Sequence, residues 1–174
     1  IDKIYLGDCL ELMKEIPDNS IDCIICDLPY GVLNKNNVNA QWDIIIPFDK
    51  LWAQYERITK DNAAIILFAQ GMFTAKLMMS QPKIWRYNLI WQKRGRCSGF
   101  LNAKKMPLRE HEDIVVFYRK LPTYNPQMTK CEPHERNHSR GRQEKEHTNR
   151  CYGNFGKAED IITDLKYPKS ILNF

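Results

Sequence analysis

The chain has 174 residues, 43% of them hydrophobic and 27% charged, enough for one domain with a real core and too few for two. Its longest apolar run, Ala63 to Ala69, is strand-sized and far below the ~18–20 residues of a membrane span, which excludes a helical membrane protein. The opening stretch mixes acids with apolar residues and has no basic leader, so a cytoplasmic location without membrane association is expected. In chain order, Ile4–Leu6 reads as a short strand. Gly7-Asp8 follows as a turn, with Asp8 a candidate N-cap for a helix over Cys9–Ile16. Pro17-Asp18-Asn19-Ser20 breaks that helix. Ile21–Cys26 is a continuous β-branched run, the pattern of a buried parallel strand, and Asp27 stands at its carboxyl end. Phe48–Ile58 places Leu51, Trp52, Tyr55 and Ile58 at helical spacing. Asp61-Asn62 predicts a turn into a second buried strand, Ala63–Phe68. Met72–Met79 reads as a helix, Tyr87–Gln92 as a third strand, Lys93–Arg109 as a basic loop and Ile114–Tyr118 as a fourth strand. Strands followed by helices predict an α/β fold with a parallel sheet and an antiparallel pair at one edge. Thr129–Arg150 is too polar to bury its own core and reads as a long loop. The stretch from Tyr167 to Phe174 regains apolar character and reads as a strand entering the sheet.

Charge is segregated. The net charge is +5, yet no acid occurs between Asn62 and Arg109, where Lys76, Lys83, Arg86, Lys93, Arg94, Arg96, Lys104, Lys105 and Arg109 lie. Trp85, Trp91 and Phe100 interleave with these cations. Such a stretch is either a solvated face or the footprint of a polyanion, and the aromatics favour nucleic acid. The six cysteines are scattered and read as reduced thiols. Cys23 and Cys26, three apart on a strand, point to opposite faces and make poor co-ligands. Cys131-x2-His134-x3-His138 and His147-x3-Cys151 have spacings near those of structural zinc, but a polar loop collects histidines without a metal, and no metal is expected.

The chemistry centres on Asp27-Leu28-Pro29-Tyr30. In open α/β sheets ligands bind beyond the carboxyl ends of the strands. There, a carboxylate and a backbone carbonyl can accept the two hydrogens of an aromatic amine and draw its lone pair out of conjugation. The carboxylate also stabilises charge that develops on nitrogen during attack on an electrophile. Asp27 supplies one acceptor and the Leu28 carbonyl the other. Pro29 restricts the turn, and Tyr30 offers a stacking surface. The tetrapeptide alone fits an ordinary capped turn better than a catalytic site.

Its surroundings carry a resemblance. Gly7-Asp8-Cys9, Asp27-Leu28-Pro29-Tyr30-Gly31, Trp42-Asp43, Leu51-Trp52, Ile66-Leu67-Phe68, Trp91-Gln92-Lys93, Ser98–Lys105, Arg109-Glu110-His111-Glu112, Tyr124–Met128 and Tyr167–Leu172 together resemble the DNA amino-methyltransferases with the (Asp/Asn/Ser)-Pro-Pro-(Tyr/Phe) motif, in the arrangement that places this motif near the N-terminus. The resemblance implies a Rossmann-like S-adenosylmethionine-dependent methyltransferase fold, mostly parallel with helices on both faces. It also implies methyl transfer from S-adenosylmethionine to adenine N6 in a base flipped out of double-stranded DNA. Cytosine N4 is the alternative target, and a non-catalytic DNA-binding fragment the alternative role. It implies Asp27, Leu28, Pro29 and Tyr30 as catalytic residues and Asp8, Asp27 and Phe68 on the cofactor side. Lys93, Arg94, Arg96, Lys104, Lys105 and Arg109 are the phosphate candidates. Trp42-Asp43 is a candidate lining of the base pocket, against packing for Trp42. His111 with Glu112 is an acid–base pair or a structural hydrogen bond. Residues 1–120 would be the catalytic domain, 121–166 a target-recognition region that reads base edges, and 167–174 the start of a further catalytic segment. A second copy of the chain and a cognate restriction endonuclease are the implied protein partners. The sequence departs from the family pattern in two ways. Leu28 replaces the commonest Pro, and the family's Gln-Lys-Pro and Phe-x-Gly-x-Gly cofactor segments are absent, so the chain is expected to lack the C-terminal part of the fold.

Overall fold

The Asp8 carboxylate accepts hydrogen bonds from the amides of Leu10 (2.8 Å) and Glu11 (3.3 Å), satisfying two donors that a helix start leaves open. This starts α1 (Cys9–Leu12), which tightens into a 3-10 turn over Met13–Glu15. In the computed structural model, residues 3–33, 36–132, 148–149, 153–154 and 164–173 are described. After α1 come β1 (Ile21–Asp27), α2 (Phe48–Ile58), β2 (Thr59–Ala69), α3 (Met72–Ser80), β3 (Trp85–Gln92) and β4 (His111–Phe117). Short strands β5 (Thr129–Lys130), β6 (Thr148–Asn149), β7 (Gly153–Asn154) and β8 (Leu165–Lys166) follow, then β9 (Ile171–Asn173).

One sheet runs in the order β1-β2-β4-β3-β9. β1 is parallel to β2 and β3 to β9, whereas β4 is antiparallel to both of its neighbours. Four strands therefore share a direction and β4 alone opposes them. The antiparallel element sits inside the sheet rather than at its edge, because β4 inserts between β2 and β3.

Along β2, Ala63, Ile65, Leu67 and Ala69 are buried on one face, the two-residue period of a strand. Leu51, Trp52, Tyr55 and Ile58 of α2 and Phe73 and Leu77 of α3 pack over that face, together with Val115 and Phe117 of β4. The Trp52 ring meets Phe117 edge-on at 4.9 Å. Each fully buried Leu here is worth about 1.5–3 kcal/mol. Among the described residues the helices lie on this face only. On the other, the Phe68 and Trp91 rings meet edge-on at 5.8 Å.

Three local expectations change. Ile4–Leu6 is not a strand: it has no ladder partner among the described residues, and both apolar side chains are fully exposed. β1 is not buried on both faces: among the described residues it pairs with β2 alone, at the edge of the sheet, and Cys23, Ile25 and Asp27 are exposed. Asp61-Asn62 is not a turn. The strand begins directly at Thr59, whose hydroxyl donates to the Tyr55 carbonyl at 2.6 Å and closes α2, while the Arg119 guanidinium donates to the carbonyls of Glu56 (2.8 Å) and Thr59 (2.6 Å).

The chain divides into two units, one running to Tyr124 and resuming at Ser170, the other Asn125–Lys169. The second holds the antiparallel pairs β5–β8 and β6–β7, so the stretch expected as a plain loop contains short strands. The zinc-like spacing falls outside the described residues apart from Cys131. Among the described residues no helix is long and apolar enough to cross a membrane.

Candidate active site

β1 delivers Asp27 to the carboxyl edge of the sheet, in register with Phe68 of β2. The chain then turns through Leu28-Pro29-Tyr30-Gly31. The Leu28 side chain is buried in the core, which anchors the turn from below. Gly31 has φ +68°, and a Cβ there would stand 2.9 Å from Cγ1 of Ile45. Both the backbone conformation and the close approach of Ile45 require glycine.

Asp43 holds the far side of the turn. Its buried carboxylate accepts hydrogen bonds from the amides of Gly31 (2.8 Å), Val32 (2.7 Å) and Leu33 (2.7 Å). Burial works against the charge, but the amides of Leu33, Gly31, Val32 and Tyr30 outweigh it and hold the Asp43 carboxyl below the usual carboxylate range.

The Tyr30 hydroxyl donates to Asp27 Oδ1 at 2.7 Å. Phe73 of α3 backs the Tyr30 ring at 5.0 Å, and Phe48 of α2 packs on Phe73 at 5.8 Å. Burial, the bond to Asp27 and the charges of Asp27, Glu112 and Asp113 push the Tyr30 phenol far up. Tyr30 therefore remains a protonated donor across the physiological range.

These residues form one wall of an open cleft of about 540 Å³. Trp42, Asp43, Gln70, Lys93, Arg96 and Arg109 also line it, with Ser98, His111 and Glu112. The cleft thus joins the four predicted catalytic positions to three of the six predicted phosphate contacts. Within it Lys93 is ion-paired with Glu112 and lies 4.7 Å from the centre of the Trp91 ring. Glu112 therefore has the structural partner that the sequence left open. Arg94, Lys104 and Lys105 are exposed in the same loop but outside the lining. Asp8 and Phe68 also stand outside it: Asp8 caps α1, and Phe68 packs on Trp91. Trp42 is exposed rather than packed, its indole donating to the Asn39 carbonyl at 2.9 Å.

Sequence reading missed the bracing role of Asp43. Its one signal was an acid placed directly before the apolar run Ile44–Ile46. Gln70, just past the end of β2, was also missed and carried no signal.

No family model matches the chain. It is 31% identical to the Type II methyltransferase M2.MboI of Moraxella bovis, over 52% of this chain and 40% of that protein. It is 30% identical to the Type II methyltransferase M.HinfI of Haemophilus influenzae, over 58% of this chain and 34% of that protein. The matched part thus spans well under half of these relatives. Two solved structures share the fold. The cytosine-N4-specific PvuII DNA methyltransferase superposes with a TM-score of 0.53 at 14% identity, over 70% of this chain and 50% of that one. M1.HpyAVI, solved as its S-adenosylmethionine complex, gives 0.51 at 16% identity, over 76% and 58%. The described sheet and its helices thus have the α/β fold of these DNA methyltransferases.

Proposed function

We propose that the chain is the catalytic half of a DNA methyltransferase that transfers a methyl group from S-adenosylmethionine to the N6 amine of an adenine flipped out of the duplex. The observation that carries this reading is the convergence of Asp27-Leu28-Pro29-Tyr30 with Lys93, Arg96 and Arg109 on one cleft at the carboxyl edge of the sheet. The partial likeness to two Type II methyltransferases supports it from the sequence side.

In this reading the target amine donates one hydrogen to Asp27 and the other to the Leu28 carbonyl. Tyr30 occupies Asp27 Oδ1, so the amine takes Oδ2. The buried Leu28 side chain and Pro29 keep the turn rigid, and Asp43 braces it from the other side. Tyr30, held by Phe73, stacks on the base, an interaction worth about 1–3 kcal/mol. That offsets part of the few kcal/mol that extrusion costs. Arg96 and Arg109 at the cleft and Lys104 and Lys105 beside it meet phosphates. The unit Asn125–Lys169 is assigned to target recognition.

S-adenosylmethionine supplies an electrophilic methyl group when bound. The exposed Asp27 carboxylate suits its cationic sulfonium. Asp8, committed to capping α1, and Phe68, packed on Trp91, lie outside the cleft lining, so the described residues fit the methyl-acceptor end of the pocket better than the nucleoside end of the cofactor.

The test is transfer of tritiated methyl groups from S-adenosylmethionine to unmethylated mixed-sequence DNA by the full-length gene product, followed by digestion to nucleosides. Label in N6-methyladenine is expected. Label in N4-methylcytosine refutes the choice of base. Duplex binding without any label leaves a non-catalytic DNA-binding protein.

A further inference from the structure

We infer that the tip of the loop between β3 and β4, Phe100-Leu101, is an apolar wedge that inserts between stacked bases of the DNA gripped by the cleft. The inference rests on the DNA reading above and adds an element to it.

The loop is built rather than slack. Ser98 and Arg109 form an antiparallel bridge, Ser98 donating to the Arg109 carbonyl at 2.8 Å and Arg109 to the Ser98 carbonyl at 3.0 Å. Both residues line the cleft, so residues 99–108 leave from its rim and return to it. Gly99, at φ +87°, turns the chain into a 3-10 turn over Phe100–Asn102. The Asn102 amide donates to the Gly99 carbonyl at 2.9 Å, and the Asn102 carbonyl accepts from Lys105 (2.8 Å) and Met106 (3.0 Å). This backbone network fixes the tip without using its apolar side chains.

Those side chains are left outside. Phe100 is 74% exposed and Leu101 84% exposed, adjacent on an ordered turn. Exposed apolar residues are ordinary singly, but a neighbouring pair held out by a scaffold calls for an occupant. Charge identifies it. Arg94, Arg96, Lys104 and Lys105 flank the tip, all exposed and none ion-paired among the described residues, and no acid occurs between Asn62 and Arg109. An apolar tip flanked in sequence by exposed cations fits a polyanion whose interior is apolar and stacked. Side chains such as Phe and Leu, driven between base steps, unstack and kink a duplex in this way. Placed at the rim of the cleft that holds Asp27, the wedge would open the stack where a base must leave it.

The test compares binding of the 174-residue chain to two short duplexes that differ only in one central abasic site. A wedge has less stacking to undo at that site, so the unchanged protein is expected to bind the abasic duplex about tenfold tighter or more. In the double variant Phe100→Ala/Leu101→Ala this preference should collapse to near unity. Lys104→Ala/Lys105→Ala should weaken binding to both duplexes by the same factor and keep the preference. Both changes lie on exposed side chains, and an unchanged thermal midpoint verifies the fold. A preference that survives in the Phe100/Leu101 variant overturns the wedge and leaves the methyltransferase reading standing. So does a preference lost equally in the lysine variant. Failure of the unchanged protein to bind either duplex overturns the wedge, and methyl transfer by the full-length gene product decides the methyltransferase reading separately. Phe100-dependent binding to phosphatidylserine vesicles without a preference between duplexes overturns the wedge in favour of a lipid surface.

Discussion

Lys93, just after β3, and Glu112, nineteen residues on in β4, are ion-paired inside the cleft, with the Lys93 ammonium over the Trp91 ring. The pairing holds a cation in the cleft that Asp27 also lines but takes it out of the set available to phosphates. Glu112→Gln should therefore release Lys93 towards DNA. Duplex affinity is expected to rise, and the slope of log K against log salt should steepen by about 0.9, one further phosphate contact. Titrations at several salt concentrations check this, and an unchanged slope refutes it.

Tyr30 combines two tasks that separate by substitution. Tyr30→Ala removes the ring and is expected to lower kcat/KM for DNA methylation by the full-length gene product about 5–150-fold, the equivalent of a lost stacking contact. Tyr30→Phe keeps the ring and removes only the bond to Asp27, so its loss should stay below about tenfold. Because burial and nearby carboxylates push the Tyr30 phenol upward, the pH–rate profile should show no alkaline limb near the ordinary tyrosine value of about 10.

Asp43 links the cleft wall to acid stability. Asp43→Asn exchanges a carboxylate that serves three amides for a group that must point a donor at one of them. A loss of about 2–3 kcal/mol is expected from urea unfolding near neutral pH. The native Asp43 carboxyl lies below its unfolded value. Its contribution is therefore fully present above the unfolded pKa of about 3.9 and is lost as pH falls from there through the folded value. Unfolding curves should show the native protein converging on the variant in that acid window. A constant gap between the two would refute the role.

Gly31→Ala should destabilise by about 1–3 kcal/mol, through the left-handed backbone and the contact with Ile45 together. Adding Ile45→Ala should relieve the steric part alone: relative to Ile45→Ala by itself, Gly31→Ala is then expected to cost about 1 kcal/mol. Denaturation of the four proteins in the double-mutant cycle measures the coupling.

What could be read in advance was what neighbouring residues decide. Leu51, Trp52, Tyr55 and Ile58 share a helical stripe, and α2 has the bounds that the stripe implies. Asp27 stands at the end of its strand because a β-branched run stops there. The antiparallel insertion of β4, the start of β2 at Thr59 and the pairing of Lys93 with Glu112 depend on partners distant in sequence. Asp61-Asn62 has turn chemistry, but Lys120 pairs with Asp61 at 2.6 Å and donates its amide to the Asp61 carbonyl at 3.0 Å, holding the segment extended. Asp43 lines the cleft, as its candidate place in the base pocket implied, but the amides of Gly31, Val32 and Leu33 that bury it belong to a turn whose shape no local pattern announces.

The outer edge of β1 bears on how the molecule behaves in a tube. Among the described residues β1 ladders only with β2, and Ile25 and the Cys23 thiol of this strand are exposed. A strand with an unused rank of amides and carbonyls is a template for another strand. Concentrated, oxidising solutions should drive copies of this chain together edge to edge and then lock them through disulfides. Light scattering that grows with concentration, and reverses with reductant only while the sample is fresh, would be the visible sign of that edge.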